Sequence, residues 1–348
     1  MTITLIGMDT AKSVFHLHGV DGTGKSQLKR KLRREEVIPF FEQQERCTVV
    51  LEACGAGHQW ARMLTQLGHE AKLLAPEAAR PFVKRGKKND AADAAALCAA
   101  ASRPEVRFVP VKSLEQQGVL ALHSVRSLMV KQQTMLANAM RGLAAEFGLV
   151  VAQGMHRLDE LKAQVQAEAS IPTTAKQAFV ELHGHSQAAA TRIAELEAEI
   201  VSHARQDATA HRLATIPGIG PITASLIAAT VGDTIGSFKS ARHFAAWLGL
   251  VPRQHSTGGK TRLGRITKAG NSEIRRLLVL GATSMVHRAA QWSSAAGAWL
   301  CGVLERRPVR LATVALANKM ARIAWAVMTR SETYQAKGRA QAAASTVA

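Results

Sequence analysis

Short apolar runs broken by turns fill the first third of the chain, and longer helical periods replace them afterwards. Ile3-Thr4-Leu5-Ile6-Gly7-Met8 is an apolar run that ends at Asp9, and Thr48-Val49-Val50-Leu51 is another that ends at Glu52. Strands are predicted at 3–9, 13–20 and 25–31, the last two joined by a turn at Gly22-Thr23-Gly24. A helix near 34–45, a strand at 47–52, a helix near 57–67 and a strand at 71–74 follow, then helices near 77–85 and 90–102.

Three early strands in hairpin order, followed by strands alternating with helices, predict an α/β domain over 1–110 of the ribonuclease-H-like kind. Residues 111–206 carry no strand signal. Leu120, Leu122, Val125, Leu128 and Met129 recur at helical spacing, as do Ile193, Leu196 and Ile200. Helices near 112–147, 156–168 and 174–206 make this a helical hairpin or coiled coil, a spacer or dimerisation arm. A mostly α domain is predicted over 207–330, with a Gly-rich basic loop at 249–271 and apolar helices near 272–286 and 310–330. Residues 331–348 read as a flexible tail.

Charge sharpens this division. The chain carries 45 Lys+Arg against 26 Asp+Glu, a net of +19. Residues 111–206 are balanced at 9 and 9, whereas 207–348 hold 19 Lys+Arg and 5 Asp+Glu. A basic third beside a neutral middle points to a polyanion partner. The four cysteines have no metal-ligand spacing, no leader is apparent, and no window is apolar and uncharged enough to span a bilayer. The expectation is a soluble, cytoplasmic protein.

In so basic a chain Asp9, Glu52, Asp90 and Asp93 stand out. Two end predicted strands, and the other two lie three residues apart on one helix face. Mg²⁺ takes oxygen ligands, and paired ions about 4 Å apart stabilise both oxygens of a phosphodiester exchange. Lys84, Arg85, Lys87 and Lys88 just before Asp90 are placed to draw in a nucleic-acid backbone. Taken alone, Asp90 and Asp93 read equally well as a helix cap and a solvated first-turn charge.

Two further segments bear on nucleic acid. Pro217-Gly218-Ile219-Gly220-Pro221 between apolar helices fits a helix-hairpin-helix, whose glycines and helix N-terminus suit a phosphate; the plain reading is a helix–helix turn. The loop with Arg253, His255, Ser256, Thr257, Lys260, Arg262, Arg265 and Lys268 can present a hydroxyl to a phosphate, or clamp one without covalent chemistry.

Three other patterns carry less. Gly19-Val20-Asp21-Gly22-Thr23-Gly24-Lys25-Ser26 matches a phosphate-loop spacing but makes sense as a β-turn. His16-Leu17-His18 resembles the metal pair of a tyrosine-dependent nicking nuclease, yet the sole tyrosine, Tyr334, falls in the tail. His183-Gly184-His185 reads as a solvated turn.

Gly7-Met8-Asp9-Thr10-Ala11-Lys12, Leu51-Glu52-Ala53-Cys54-Gly55, Lys88-Asn89-Asp90-Ala91-Ala92-Asp93-Ala94 and the Pro252-to-Asn271 loop occur in an order that resembles a known family. It is that of bacterial insertion-sequence transposases pairing a RuvC-like DEDD domain with a C-terminal serine domain. The resemblance covers about 1–330. It implies that Asp9, Glu52, Asp90 and Asp93 bind Mg²⁺ and that Ser256 is the nucleophile, with Thr257 the alternative register. It also implies double-stranded DNA at element ends and target, a structured bridge RNA as guide, dimers and tetramers, and a site shared between protomers. Lys88-Asn89-Asp90 departs from the more usual Lys-Thr-Asp.

The expected function is therefore a DNA recombinase that excises and inserts its own element through a phosphoserine. Two alternatives use fewer of these features. One is a junction-resolving nuclease that attacks with water; the other is a non-catalytic nucleic-acid-binding scaffold.

Overall fold

A computed structural model describes residues 2–83, 90–292 and 294–336, and the chain divides into two compact units, Met1–Ser113 and Leu114–Ala348. The first contains β1 (Ile3–Thr10), β2 (Val14–Asp21), β3 (Ser26–Arg33), α1 (Val37–Gln43), β4 (Thr48–Glu52), α2 (Gly57–Gln66), β5 (Glu70–Leu74), α3 (Pro76–Ala79), α4 (Asp90–Ala101) and β6 (Phe108–Val109). They form one sheet in the order β3-β2-β1-β4-β5-β6. The β1–β2, β2–β3 and β5–β6 pairs are antiparallel, and β1–β4 and β4–β5 are parallel.

Alternation along each strand sorts the side chains into two layers. Ile6, Met8, Phe15, Leu17, Val49 and Leu51 face Phe41, Trp60 and Leu64 from α1 and α2. Val50 and Leu74 face Ala79, Leu97 and Ala100 from α3 and α4. An inner parallel strand is covered on both sides, which is why β4 reads as an unbroken apolar run. The helix α4 lies close on β1: a Cβ on Gly7 would fall 2.2 Å from the Ala94 carbonyl oxygen. Gly7 thus admits the helix that carries Asp90 and Asp93.

The phosphate-loop match is a turn. Asp21 accepts hydrogen bonds from the Thr23 hydroxyl and amide, the Lys25 amide and the Gln27 side chain. Those bonds, the Thr23 and Gln27 side chains first, hold its carboxyl well below the usual range. Strand β3 follows directly, so no helix N-terminus is there to receive a phosphate. The helix expected at 77–85 is one short turn, α3, then a 3-10 turn over Arg80–Phe82, because Pro81 has no N–H to continue it.

The second unit contains α5 (Leu114–Glu146), α6 (Leu158–Ala167), α7 (Thr173–Gln206), α8 (Ala208–Leu213), α9 (Pro221–Val231), α10 (Ala241–Trp247), β7 (Pro252–Gln254), β8 (Leu263–Ile266), α11 (Ser272–Val286), α12 (Ala295–Leu304) and α13 (Val309–Arg330). Arg126 early in α5 pairs with Glu197 late in α7, while Met140 and Ala144 late in α5 pack with Phe179 early in α7. The two long helices are therefore antiparallel. Leu213, Ile227, Phe244, Leu278, Leu300 and Met320 belong to one core shared by α8 to α13.

Four expectations need correction. His183 and His185 lie inside α7, not in a solvated turn; His183 is buried, its Nε2 2.7 Å from Asp159 Oδ1, which offsets the loss of water. The expected loop at 249–271 contains the β7–β8 hairpin. The tail does not begin loose: the Tyr334 amide donates to Thr215 Oγ1 and its ring packs on the core. Finally, α13 is by length and composition apolar enough to cross a membrane, though half of that window is buried within the unit.

Candidate functional site

Asp9 occupies the end of β1 and Glu52 the end of the adjacent parallel strand β4, where Met8 pairs with Leu51. Alternation places both carboxylates on the α4 side of the sheet, together with Gly7 and Val50. The β1–β2 register sets His16 directly opposite Asp9 and therefore on the same side. Asp90 and Asp93 open α4 on that side. One sheet face and one helix start thus collect all four acids and a histidine.

Asp9, His16 and Asp90 each offer a ligand atom within 4.8 Å of the others. His16 Nδ1 is 3.6 Å from Asp90 Oδ2, and this buried nitrogen has no hydrogen-bond partner among the described residues. Glu52 and Asp93 stand outside that group but act on Asp9 through charge. Burial first, then Asp90, Asp93 and Glu52, push the Asp9 carboxyl up, while His16 pulls it down. Converging carboxylates and an orphaned ring nitrogen fit a divalent cation, which would offset the repulsion.

Beside the cluster runs a groove lined by His16, His18, Lys29, Lys31, Ala91 and Ala95. Lys31 pairs with His16 and Lys29 with His18, so all four point to one side. The alanines keep the opposite wall low. Lys29 and Lys31 escaped the sequence reading, although their two-residue spacing in a predicted strand was a usable signal. Lysines are also common guards of an exposed edge strand such as β3. The expected phosphate-attracting residues Lys84, Arg85, Lys87 and Lys88 lie outside the described residues.

In the second unit, Ser256 stands near the tip of the β7–β8 hairpin. Thr257 and Lys260 flank a two-residue turn at Gly258 and Gly259, whose φ values of 55° and 79° suit a mirror-image turn. The exposed Ser256 Oγ accepts from the Arg262 amide at 3.2 Å, and the His255 amide donates to the Arg262 carbonyl. Arg253, Lys260, Arg262, Arg265 and Lys268 are exposed around it. The base is tied down: Arg275 donates to the carbonyls of Leu248 and Ala269, and Asn318 to that of Leu250.

The two glycines of the Gly218-Ile219-Gly220 turn differ. A Cβ on Gly220 would meet nothing within 4 Å, leaving its backbone open to a ligand. A Cβ on Gly218 would fall 2.8 Å from Met320 Cε and 3.1 Å from Met285 Cγ. Gly218 thus faces α11 and α13.

Comparison with known proteins finds likeness along nearly the whole chain. A DEDD transposase family model matches residues 6–147, and the model described as "Transposase IS116/IS110/IS902 family" matches residues 210–297. A putative transposase of Sinorhizobium fredii is 50% identical over 97% of this chain and 88% of its own length. A probable family 20 transposase of Pseudomonas aeruginosa is 48% identical over 96% and 99%. The transposase of insertion sequence element IS1328 from Yersinia enterocolitica is 40% identical over 95% and 98%.

Proposed function

The chain belongs to the IS116/IS110/IS902 family of transposases, and from that premise we propose that it moves its own element by Mg²⁺-dependent serine chemistry guided by an element-encoded RNA. Transposition entails DNA strand transfer and binding of element ends and target. The observation that carries the site assignment is the meeting of Asp9, Asp90 and His16, with Glu52 and Asp93 close enough to bias Asp9. The sheet order β3-β2-β1-β4-β5, with acids at the ends of β1 and β4, supports the RuvC-like reading of this domain.

Asp9, Glu52, Asp90 and Asp93 would hold the divalent ion, which when bound neutralises charge on the scissile phosphate. Lys29 and Lys31 would seat the flanking strand in the adjoining groove. Ser256 Oγ would attack phosphorus, forming an O–P bond as the bond to the leaving sugar oxygen breaks; the hydroxyl proton ends on that oxygen. Reversal by a sugar hydroxyl of another strand completes exchange and conserves the phosphodiester. Arg253, Lys260, Arg262, Arg265 and Lys268 would clamp the backbone, with Gly220 and the start of α9 as a helix-hairpin-helix contact. The same reading includes dimers joined through the α5–α7 pair. An aromatic content of 4% offers little stacking surface for reading single strands, in keeping with specificity supplied by guide pairing.

The second reading, attack by water, is favoured by one feature: among the described residues Ser256 Oγ accepts from a backbone amide and has no general base hydrogen-bonded to it. Purified protein, guide RNA and DNA substrates with Mg²⁺ decide between them. Ser256→Ala is expected to lose both strand cleavage and the covalent protein–DNA adduct, while Thr257→Ala keeps the adduct. Continued cleavage by Ser256→Ala without an adduct would overturn the serine mechanism and leave the hydrolytic one.

A further inference from the structure

We propose that His16 is a ligand of the metal centre, giving an otherwise all-oxygen site one nitrogen donor. This rests on the metal-dependent reading above and adds a residue that the acidic pattern does not contain. Three observations carry it.

The first is register. His16 is directly opposite Asp9 in the β1–β2 pair, so backbone hydrogen bonding, not side-chain chance, fixes the imidazole on the carboxylate side of the sheet. The second is an unsatisfied atom. His16 Nδ1 is shielded from solvent and has no hydrogen-bond partner among the described residues, a costly state for a buried polar atom unless something else fills the need.

The third is distance. A ring nitrogen hydrogen-bonded to a carboxylate closes to contact, as His183 Nε2 does with Asp159 Oδ1 at 2.7 Å. His16 Nδ1 instead stands 3.6 Å from Asp90 Oδ2. Two donors each about 2.1 Å from one cation lie roughly 3.0 Å apart when adjacent and about 4.2 Å apart when opposite. The observed gap falls between these limits, longer than a hydrogen bond and short enough for the two atoms to share an ion. One ligand atom from each of Asp9, His16 and Asp90 lies within 4.8 Å of the other two, so a single ion is within reach of all three. Coordination through Nδ1 leaves the ring proton on Nε2.

A nitrogen donor alters what the site prefers. Imidazole suits the later first-row divalent ions better than magnesium, which favours oxygen and retained water. Mn²⁺ shares magnesium's liking for carboxylate oxygen yet, as a first-row transition ion, accepts a nitrogen donor more readily, so the site should take Mn²⁺ ahead of Mg²⁺ by a margin that His16 supplies.

Manganese alone, added to the full-length protein, tests this by pulsed electron paramagnetic resonance, which reports a directly bound ¹⁴N. Wild type is expected to show the nitrogen coupling. His16→Ala and the bulkier, polar His16→Gln should lose it, with Mn²⁺ affinity falling about tenfold or more and Mg²⁺ affinity changing less. His18→Ala, on the next same-side position of β2, should keep it. The inference is overturned if wild type binds Mn²⁺ in an Asp9-dependent way without nitrogen coupling, or if the coupling survives in both His16 variants; the carboxylate site then stands without His16. If no Mn²⁺ binds, the metal-dependent reading falls as well.

Discussion

The carbonyl oxygen of Gly218 lies 1.9 Å from where a Cβ on Gly281 would stand, so the turn before α9 and the middle of α11 touch backbone to backbone. Gly281→Ala must therefore push the turn away or distort α11, both within the main core of the second unit. The expected cost is about 1–3 kcal/mol, read from denaturant unfolding. Gly220→Ala, with open space at its Cβ, should change stability far less.

Gly7 plays the corresponding part in the first unit, because the Ala94 carbonyl occupies the space of its missing side chain. Gly7→Ala is expected to shift α4 outward, carrying Asp90 and Asp93 away from Asp9. The measurement is Mn²⁺ affinity alongside thermal unfolding. Loss of metal binding should exceed what the fall in stability explains, since at 25 °C the variant remains largely folded.

Asp9 is held among like charges and partly removed from water, so its ionised form is disfavoured in the folded chain. Replacing it with asparagine removes that repulsion. Asp9→Asn is expected to raise the melting temperature in the presence of a chelator while abolishing transposition in cells. Saturating Mg²⁺ should stabilise wild type and leave the variant unmoved. A variant that melts below wild type in chelator would contradict the electrostatic account.

Acid should destabilise both units. Burial pushes the imidazoles of His58 and His123 down to about 4; Lys112 and Arg62 add to this at His58, and Arg126 at His123. His58 Nδ1 accepts from the Lys112 amide, and His123 Nε2 lies 3.1 Å from Ser225 Oγ. Between the ordinary histidine value of 6.5 and about 4, the unfolded chain binds protons at these positions that the folded chain does not. Stability therefore rises with pH across that window and is lost as pH falls through it. Urea midpoints measured from pH 7 to pH 4.5 should fall, and the His58→Gln, His123→Gln double variant should show a shallower decline.

Much of the first unit was legible because its signals are local. Apolar runs ending in Asp9 and Glu52 are strands whatever surrounds them, and the early hairpins follow from short turns. The long helices α5, α7, α11 and α13 were equally plain, since their periodicity extends over several turns. Several elements escaped, α10 and α12 among them. The two-residue strand β6 exists only because β5 offers an edge to pair with. The β7–β8 hairpin hides in a run of Gly, Lys and Arg with little strand propensity, stabilised by a turn and an anchored base.

The acidic quartet is visible in the sequence, but the approach of His16 to it is not. Spacing along the chain groups His16 with His18. Its structural neighbours are Asp9 and Asp90, the second 74 positions away. Sequence by itself determined which residues have the chemistry for a metal and a phosphate, and which short segments carry them, since both depend on side-chain type and local periodicity. Tertiary structure decided which of them meet. That needed the β1–β2 register, the parallel placement of β4 and the approach of α4 over Gly7, all set by pairing and packing between residues far apart in the chain.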